Sequence, residues 1–199
     1  MKVIEHVKDG IVENNKPEGY PVEDEKVTKD EETNNSEVVS PEMKKLLIRQ
    51  LAHEMKNHNL YKMYALYFNK EGLFKLSKYY TSRAKEELVH YEWIQHYLID
   101  CDVVLEDDFA IEANSNKTPN RVKPFEDTLD REIETTKMIN EIVTLAEEEK
   151  DWKTFNFLQK ELVPEQVEEE KISRQILNIV NIDTDWLSKQ DIIVELYAR

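Results

Sequence analysis

Apolar side chains recur every three or four positions along four long stretches of the chain, which is the spacing of amphipathic helices. The first stretch begins at Ser40-Pro41, an N-cap residue followed by proline at the first helical position. A turn near residues 70–72 leads into the second stretch, and a turn at Glu149-Lys150 joins the third to the fourth, with Asp151 as N-cap. Residues 183–197 predict a short fifth helix. The pattern predicts an all-α four-helix bundle.

The helical period is lost between the second and third stretches. From about residue 102 to residue 124, asparagine, aspartate and proline residues punctuate the segment. A helix of roughly 29 residues is about 43 Å long, whereas about 23 extended residues can reach about 75 Å. This segment can therefore run the length of the bundle, and a long crossover between helices 2 and 3 distinguishes one class of four-helix bundle from simple up-down bundles.

Each predicted helix carries one glutamate on its apolar stripe, and these glutamates divide into two sets with nearly equal spacing. Glu54 precedes Glu87 by 33 residues, and Glu132 precedes Gln166 by 34. Glu54 and Glu87 lie at equal distances from the first turn, so they sit at matching heights on antiparallel helices. His90 lies one turn after Glu87, as Glu169 lies one turn after Gln166.

A buried carboxylate costs several kcal/mol to desolvate unless a partner compensates for the lost hydration. Four such groups converging on one place would unfold a small bundle. Hard cations prefer carboxylate oxygens together with imidazole, and a pair of iron ions is such a partner. The pattern therefore predicts a di-iron centre inside the bundle.

Pro164 interrupts the apolar pattern of the fourth helix, where it removes a backbone donor. Because the second hairpin is one residue longer than the first, the sequence predicts a π-bulge near this proline. Tyr61 lies seven residues after Glu54 and on the same face, where it is either a core aromatic or a hydrogen-bond partner of a site ligand that takes part in electron transfer. The other acidic runs and His53, His58 and His96 are interpreted as packing or surface residues.

Composition narrows the class of protein. A length of 199 residues with 40% hydrophobic content fits one domain with a tail. The single cysteine, Cys101, excludes an internal disulfide and an all-thiolate metal site. A net charge of −15 argues against nucleic-acid binding, and the sequence contains no apolar run long enough for a membrane span. We expect a cytoplasmic protein without nucleic-acid or membrane partners.

Residues 1–40 carry 5 lysines and 11 acidic residues and predict a mobile acidic N-terminal extension, followed by a bundle domain at 41–199. An alternative is that its apolar residues form a short element that docks on the body or on a neighbouring subunit. Those residues are Val3, Ile4, Val7, Ile11 and Val12.

The chain resembles the bacterial non-haem ferritins from about Pro41 to its end. An isolated Glu-x-x-His is a weak signal, but here the geometry repeats in the second hairpin. The segments that carry the resemblance are Pro41-Glu42-Met43 with Glu54, Glu86-Glu87-Leu88-Val89-His90, Thr154-Phe155-Asn156-Phe157-Leu158-Gln159 and Glu165-Gln166-Val167-Glu168-Glu169-Glu170.

The resemblance implies a ferritin-like bundle that assembles as a hollow 24-subunit cage, oxidises Fe(II) with O2 or H2O2 at an intra-subunit ferroxidase centre, and stores the ferric mineral. It implies that Glu54, Glu87 and His90 bind one iron, and that Glu87 bridges to a second iron held by Glu132 and Glu169.

The resemblance implies roles for further residues. Gln166 would help to place the oxidant, and Tyr61 matches the family tyrosine beside the centre. The residues that match a third iron site are Glu86, Glu165, Glu168 and Glu169.

The chain also differs from related families. No haem is expected, because Leu88 stands where bacterioferritins have a methionine ligand, and position 169 is glutamate where they have histidine. The family's usual tryptophan early in the fourth helix is missing, since Lys160-Glu161 follows Gln159. Two alternatives stay open at this point: a di-iron peroxidase of the rubrerythrin kind, and a non-catalytic metal-binding cage.

Overall fold

The protein is described by a computed structural model over residues 38–105, 118 and 120–197. The chain divides into two units, Met1–Asn35 and Ser36–Arg199, and the first lies outside the described residues, as does most of the predicted extension. In the described part the helices are α1 (Pro41–Lys70), α2 (Phe74–Asp100), α3 (Lys123–Glu149), α4 (Trp152–Phe157), a π-helical segment (Leu158–Leu162), α5 (Val163–Val180) and α6 (Trp186–Tyr197).

The first hairpin is formed by α1 and α2, and both of its predicted boundaries are confirmed. Ser40 caps α1, because its side-chain oxygen accepts a hydrogen bond from the Met43 amide at 3.1 Å. The turn after Lys70 contains Gly72 at a φ of +74°, a left-handed conformation that glycine adopts without strain. The turn is only three residues long, so α2 runs back along α1.

The second hairpin is formed by α3 and the three consecutive helical segments that follow it. Lys150 ends α3 in a left-handed conformation with φ +58°, and Asp151 caps α4 by accepting from the Thr154 amide at 3.1 Å. The helix then widens at Leu158–Leu162, immediately before Pro164. The predicted π-bulge is confirmed, and α4, the π segment and α5 together form the fourth long helix of the bundle.

The helices pack around a core that is split into two apolar clusters. One, the turn-side cluster, contains Leu60, Tyr64, Phe68, Leu76, Tyr80, Phe125, Ile176 and Val180. The other, the opposite-end cluster, contains Met43, Leu47, Leu51, Ile94, Leu98, Ile142, Leu158 and Leu162. Between them lies a buried polar layer, to which α1 contributes Glu54 and α2 contributes Glu87. The site is therefore placed halfway along the bundle, with apolar packing above and below it.

Helix α6 is the predicted short fifth helix, and it packs on α2 and α5. Its buried Lys189 donates a hydrogen bond to the Val180 carbonyl at 2.7 Å, at the last residue of α5, and lies over the Trp186 ring. Tyr197, at its other end, donates a hydrogen bond to Glu86 of α2. In the described part of the chain, no helix combines the length and the apolar content that a membrane span requires.

We expect Lys189→Met to loosen α6 without unfolding the bundle. The variant keeps most of the apolar bulk but removes a charge-assisted bond to a helix C-terminus, which contributes on the order of 1–2 kcal/mol. Hydrogen exchange of the α6 amides should accelerate roughly tenfold or more, while that of α1 stays unchanged. The control is Lys75→Met, which removes an exposed ion pair between Lys75 of α2 and Asp191 of α6. It should change hydrogen exchange of the α6 amides much less. Equal exchange in both variants would contradict this role of Lys189.

Candidate metal centre

Two groups of potential metal ligands meet in the polar layer and share one residue. Ligand atoms of Glu54, Glu87 and His90 lie within 4.8 Å of one another, and so do those of Glu87, Glu132 and Glu169. All five side chains are buried. Glu87 therefore stands between the two groups, which is the position that a bridging carboxylate requires.

The first group is held by α1 and α2. Glu54 is fully buried and accepts a hydrogen bond from the Gln50 amide, one turn earlier on α1, at 2.6 Å. His90 is 5% exposed, and its ring lies 5.4 Å from that of Trp93. Burial lowers the pKa of His90 to about 4, so the imidazole is neutral at physiological pH and has a nitrogen lone pair to offer.

The second group is centred on Glu132 of α3. One oxygen of Glu132 accepts from the Tyr61 hydroxyl at 2.6 Å, and the Gln166 amide donates to its other oxygen at 3.2 Å and to its backbone carbonyl at 3.0 Å. Burial raises the pKa of Tyr61 well above its ordinary value, so the phenol keeps its proton and acts as a donor. The two residues predicted to assist the chemistry, Tyr61 and Gln166, both contact the same carboxylate.

Sequence reasoning missed Arg83, which reaches into this second group from α2. Its guanidinium donates to Glu132 at 2.6 Å and to Glu169 at 2.8 Å, and it lies 3.6 Å from Glu87. The side chain is only 3% exposed. A signal was present, because Arg83 lies one turn before Glu87 on the inner face of α2, where a charged side chain needs a partner.

Glu54, Glu87 and Glu169 hold protons more tightly than free glutamate does. Burial raises the pKa of Glu54 to about 7, and it is only partly offset by the neighbouring Glu87 side chain, by the Gln50 hydrogen bond and by the charge of Arg83. Burial and the neighbouring carboxylates raise the pKa of Glu169 to about 8 despite its contact with Arg83, and they also raise that of Glu87. For Arg83, burial alone would lower the pKa, but Glu169 and Glu132 outweigh it, so the guanidinium stays charged.

Several buried oxygens and nitrogens in this layer make no hydrogen bond. Among the described residues, Glu54 Oε2 and Glu87 Oε1 lack a hydrogen-bond partner, although both residues are at most 1% exposed. A buried acceptor without a donor costs about 1–3 kcal/mol, and more if it is charged. Glu54 belongs to the group that contains His90 and Glu87 belongs to both groups, so a cation bound between Glu54 and Glu87 would satisfy both oxygens.

The structure does not bring the remaining predicted ligands into either group. Glu165 and Glu168 are exposed on α5, and Glu168 pairs with Lys171 at 3.1 Å. Glu86 is half-exposed and is held by Arg83 and Tyr197. His53, interpreted as a packing residue, bonds the Thr135 hydroxyl at 2.9 Å, which agrees with that interpretation.

The chain is similar to one protein family and to individual bacterial proteins. A family model described as a ferritin-like domain matches residues 44–181. A probable bacterial non-heme ferritin-like protein of Haemophilus influenzae is 33% identical over 144 residues, which cover 72% of this chain and 86% of that relative. A bacterial non-heme ferritin of Bacteroides fragilis is 28% identical over 142 residues, or 71% of this chain and 87% of the relative.

Solved structures agree with these relatives. A novel open pore ferritin from the archaeon Archaeoglobus fulgidus superposes with a TM-score of 0.73 at 31% identity, covering 81% of this chain and 99% of that chain. Residues 44–181, which the family model matches, contain all but the first residues of the two hairpins and every residue of the two ligand groups. The ferritin-like fold and the resemblance predicted from the sequence are therefore confirmed, and the chain belongs to the ferritin family.

Proposed function

We propose that this protein stores iron and oxidises Fe(II) to Fe(III) at a two-iron centre within each subunit. The observation that carries the proposal is the sharing of Glu87 by two buried ligand groups. A single metal would need only one of them. Membership of the ferritin family and the similarity to bacterial non-heme ferritins support iron as the metal.

In this proposal the two groups bind one ferrous ion each. Glu54 and His90 hold the first, Glu132 and Glu169 hold the second, and Glu87 lies between them. Carboxylate oxygens become better ligands as iron goes from Fe(II) to Fe(III), so this donor set favours oxidation. Each Fe(II) gives up one electron. The two electrons pass with two protons either to O2, which gives H2O2, or to H2O2, which gives two water molecules.

Tyr61 and Gln166 are proposed to position Glu132 during this reaction. The Tyr61 hydroxyl and the Gln166 amide hold its two oxygens in different directions. Fixed ligands of this kind keep metal geometry constant from one turnover to the next. Tyr61 is also proposed as a nearby electron donor, because its ring lies in the turn-side cluster next to Tyr80, 5.9 Å away.

A third iron position on the way out of the centre remains part of the proposal. Glu169 is buried, whereas Glu165, one turn before it on α5, and the neighbouring Glu168 are exposed. We propose that ferric ions leaving the centre pass Glu165, Glu168 and Glu86 on their way to the surface.

We also propose that the protein is a cytoplasmic homo-oligomer, assembled as a hollow cage of 24 copies. Support comes from its family and from large apolar side chains that are more than half exposed on the isolated subunit, among them Leu66, Phe74, Trp152, Val167 and Leu187. Sedimentation of the full chain tests this assembly, since a cage is far heavier than one 23.7 kDa subunit.

One observation favours a second candidate function, a metal-binding cage without oxidase activity. Arg83 donates hydrogen bonds to Glu132 and Glu169, two of the ligands assigned to the second iron. If the guanidinium never leaves, each subunit holds one metal and cannot collect two electrons at once. Oxidation kinetics separate the two candidates.

We expect a Glu54→Ala, His90→Ala double variant to lose rapid oxidation. The assay supplies two Fe(II) per subunit in air and follows the initial rate of Fe(III) formation by ultraviolet absorbance. The rate should fall at least about 100-fold, because losing a metal ligand costs more than losing a residue that only hydrogen-bonds a ligand. The matched control is Glu92→Ala, His96→Ala, which removes an exposed glutamate and an exposed histidine from α2. Equal rates in the wild type and the ligand variant would contradict the ferroxidase proposal.

Metal binding should release protons and weaken as the pH falls. Glu54, with a pKa of about 7, and Glu169, with a pKa of about 8, still hold protons near pH 6.5 and must lose them to bind a cation. His90, with a pKa of about 4, has none to lose there. Affinity for redox-inert Zn(II) should fall up to about tenfold per pH unit for each proton released, between pH 8 and pH 6.

Calorimetry at pH 6.5 in buffers of different ionisation enthalpy counts the protons released by Zn(II). We expect at least one per subunit, and fewer in Glu54→Gln, whose amide carries no titrating proton. A proton count of zero, with an affinity that does not depend on pH, would refute the assignment of these carboxyls as ligands.

A further inference from the structure

Arg83 is the one feature of the centre that neither the resemblance nor the two-iron proposal accounts for. A buried arginine among buried glutamates stabilises them by charge and by hydrogen bonds, and removing it would leave their charges unpaired. Its contacts bear on the order in which the two metal positions fill, an inference that rests on the proposed function.

The guanidinium engages the two groups of ligands unequally. Its hydrogen bonds go to Glu132 at 2.6 Å and Glu169 at 2.8 Å, and it is 3.6 Å from Glu87, beyond a hydrogen bond. These contacts occupy one oxygen on each of the two carboxylates assigned to the second iron alone. A cation binding between them would meet both blocked ligand atoms and a like charge at close range.

Arg83 engages the first group less closely, through the 3.6 Å contact with Glu87 alone. Among the described residues, Glu54 Oε2 and Glu87 Oε1 have no hydrogen-bond partner, and Glu54 is bonded through its other oxygen to the neutral Gln50 amide. A first cation therefore finds two carboxylate oxygens that accept no hydrogen bond, one of them 3.6 Å from Arg83 Nη2, and an imidazole. The two positions differ in how tightly the guanidinium holds the ligand oxygens: it donates hydrogen bonds to Glu132 and Glu169, but it makes only a longer ion-pair contact with Glu87.

Another carboxylate, that of Glu86, lies within reach of the Arg83 guanidinium. Its Nη1 already lies 3.1 Å from Glu86, whose side chain is 42% exposed. Tyr197 of α6 donates a hydrogen bond to the other oxygen of Glu86 and so holds that carboxylate beside Arg83. The guanidinium can turn from the buried carboxylates toward this partner at the edge of the layer without losing its ion pair.

We propose that the charge of Arg83 makes the two metal positions fill in order. The first cation binds at Glu54, Glu87 and His90. The second binds only as the guanidinium leaves Glu132 and Glu169 for Glu86. Arg83 is a positioning residue in this scheme, since it acts through the carboxylates. It keeps the acidic layer neutralised between rounds of iron loading.

The test is a calorimetric titration of the full-length, metal-free assembly with Zn(II) at pH 7.5. The wild type should bind two equivalents per subunit in two steps, the second at least about tenfold weaker than the first. Arg83→Gln, which keeps a donor of similar length but no charge, should tighten the second step about tenfold or more and leave the first within about threefold. Arg83→Lys should keep the two steps apart.

The matched control is Arg49→Gln, which removes an exposed arginine paired with Glu141 and should bind as the wild type does. Two zinc ions bound with unchanged affinities in Arg83→Gln would overturn the inference, yet leave the two-iron proposal intact. A wild type that binds no zinc at Glu54 and His90 would overturn both.

Crystal structures of the wild type with and without Zn(II) keep the inference falsifiable if Arg83→Gln does not fold. With two zinc ions bound, the guanidinium should contact Glu86 and no longer donate to Glu132 and Glu169. Two zinc ions with Arg83 still bonded to both carboxylates would overturn the inference. A single zinc ion at saturation would also overturn it, because the guanidinium would then never leave Glu132 and Glu169.

Discussion

The structure depends on how four buried carboxylates are compensated in the middle of a narrow bundle. Glu54, Glu87, Glu132 and Glu169 are each at most 7% exposed, and water does not screen them. Protein groups supply part of the compensation, through one guanidinium, one phenol and two side-chain amides. The part of the burial cost that stays uncompensated shows as raised pKa values of Glu54 and Glu169 and as carboxylate oxygens without hydrogen-bond donors. A layer left in this condition is poised to accept divalent cations, because they supply the missing positive charge and the missing contacts at once.

Much of this arrangement could be predicted from the sequence. Helix boundaries at Ser40, Gly72 and Asp151 follow from local capping and turn chemistry, which depends on a few neighbouring residues. The π-helical segment follows from one extra residue and Pro164 in a helix whose two ends must keep their register. The meeting of Glu54 with Glu87 follows from equal distances to a short turn. Each of these predictions uses geometry within one hairpin.

Contacts between the hairpins were harder to predict. Arg83 was missed because its partners Glu132 and Glu169 lie 49 and 86 residues away, on helices whose rotation the sequence does not specify. The hydrogen bond between Tyr197 and Glu86 spans 111 residues and depends on how α6 docks. Periodicity identifies which face of a helix is buried, but not which atoms on two distant faces meet. Buried polar pairs of this kind are therefore the part of the site that needed coordinates.

The division of the core into a turn-side cluster and an opposite-end cluster has an evolutionary consequence. Each cluster buries large apolar side chains from at least three of the four long helices, so apolar packing holds the bundle on both sides of the polar layer. Substitutions in the intervening polar layer then alter metal chemistry while the architecture survives. Ligands in this layer can therefore change in evolution with little effect on the scaffold that holds them.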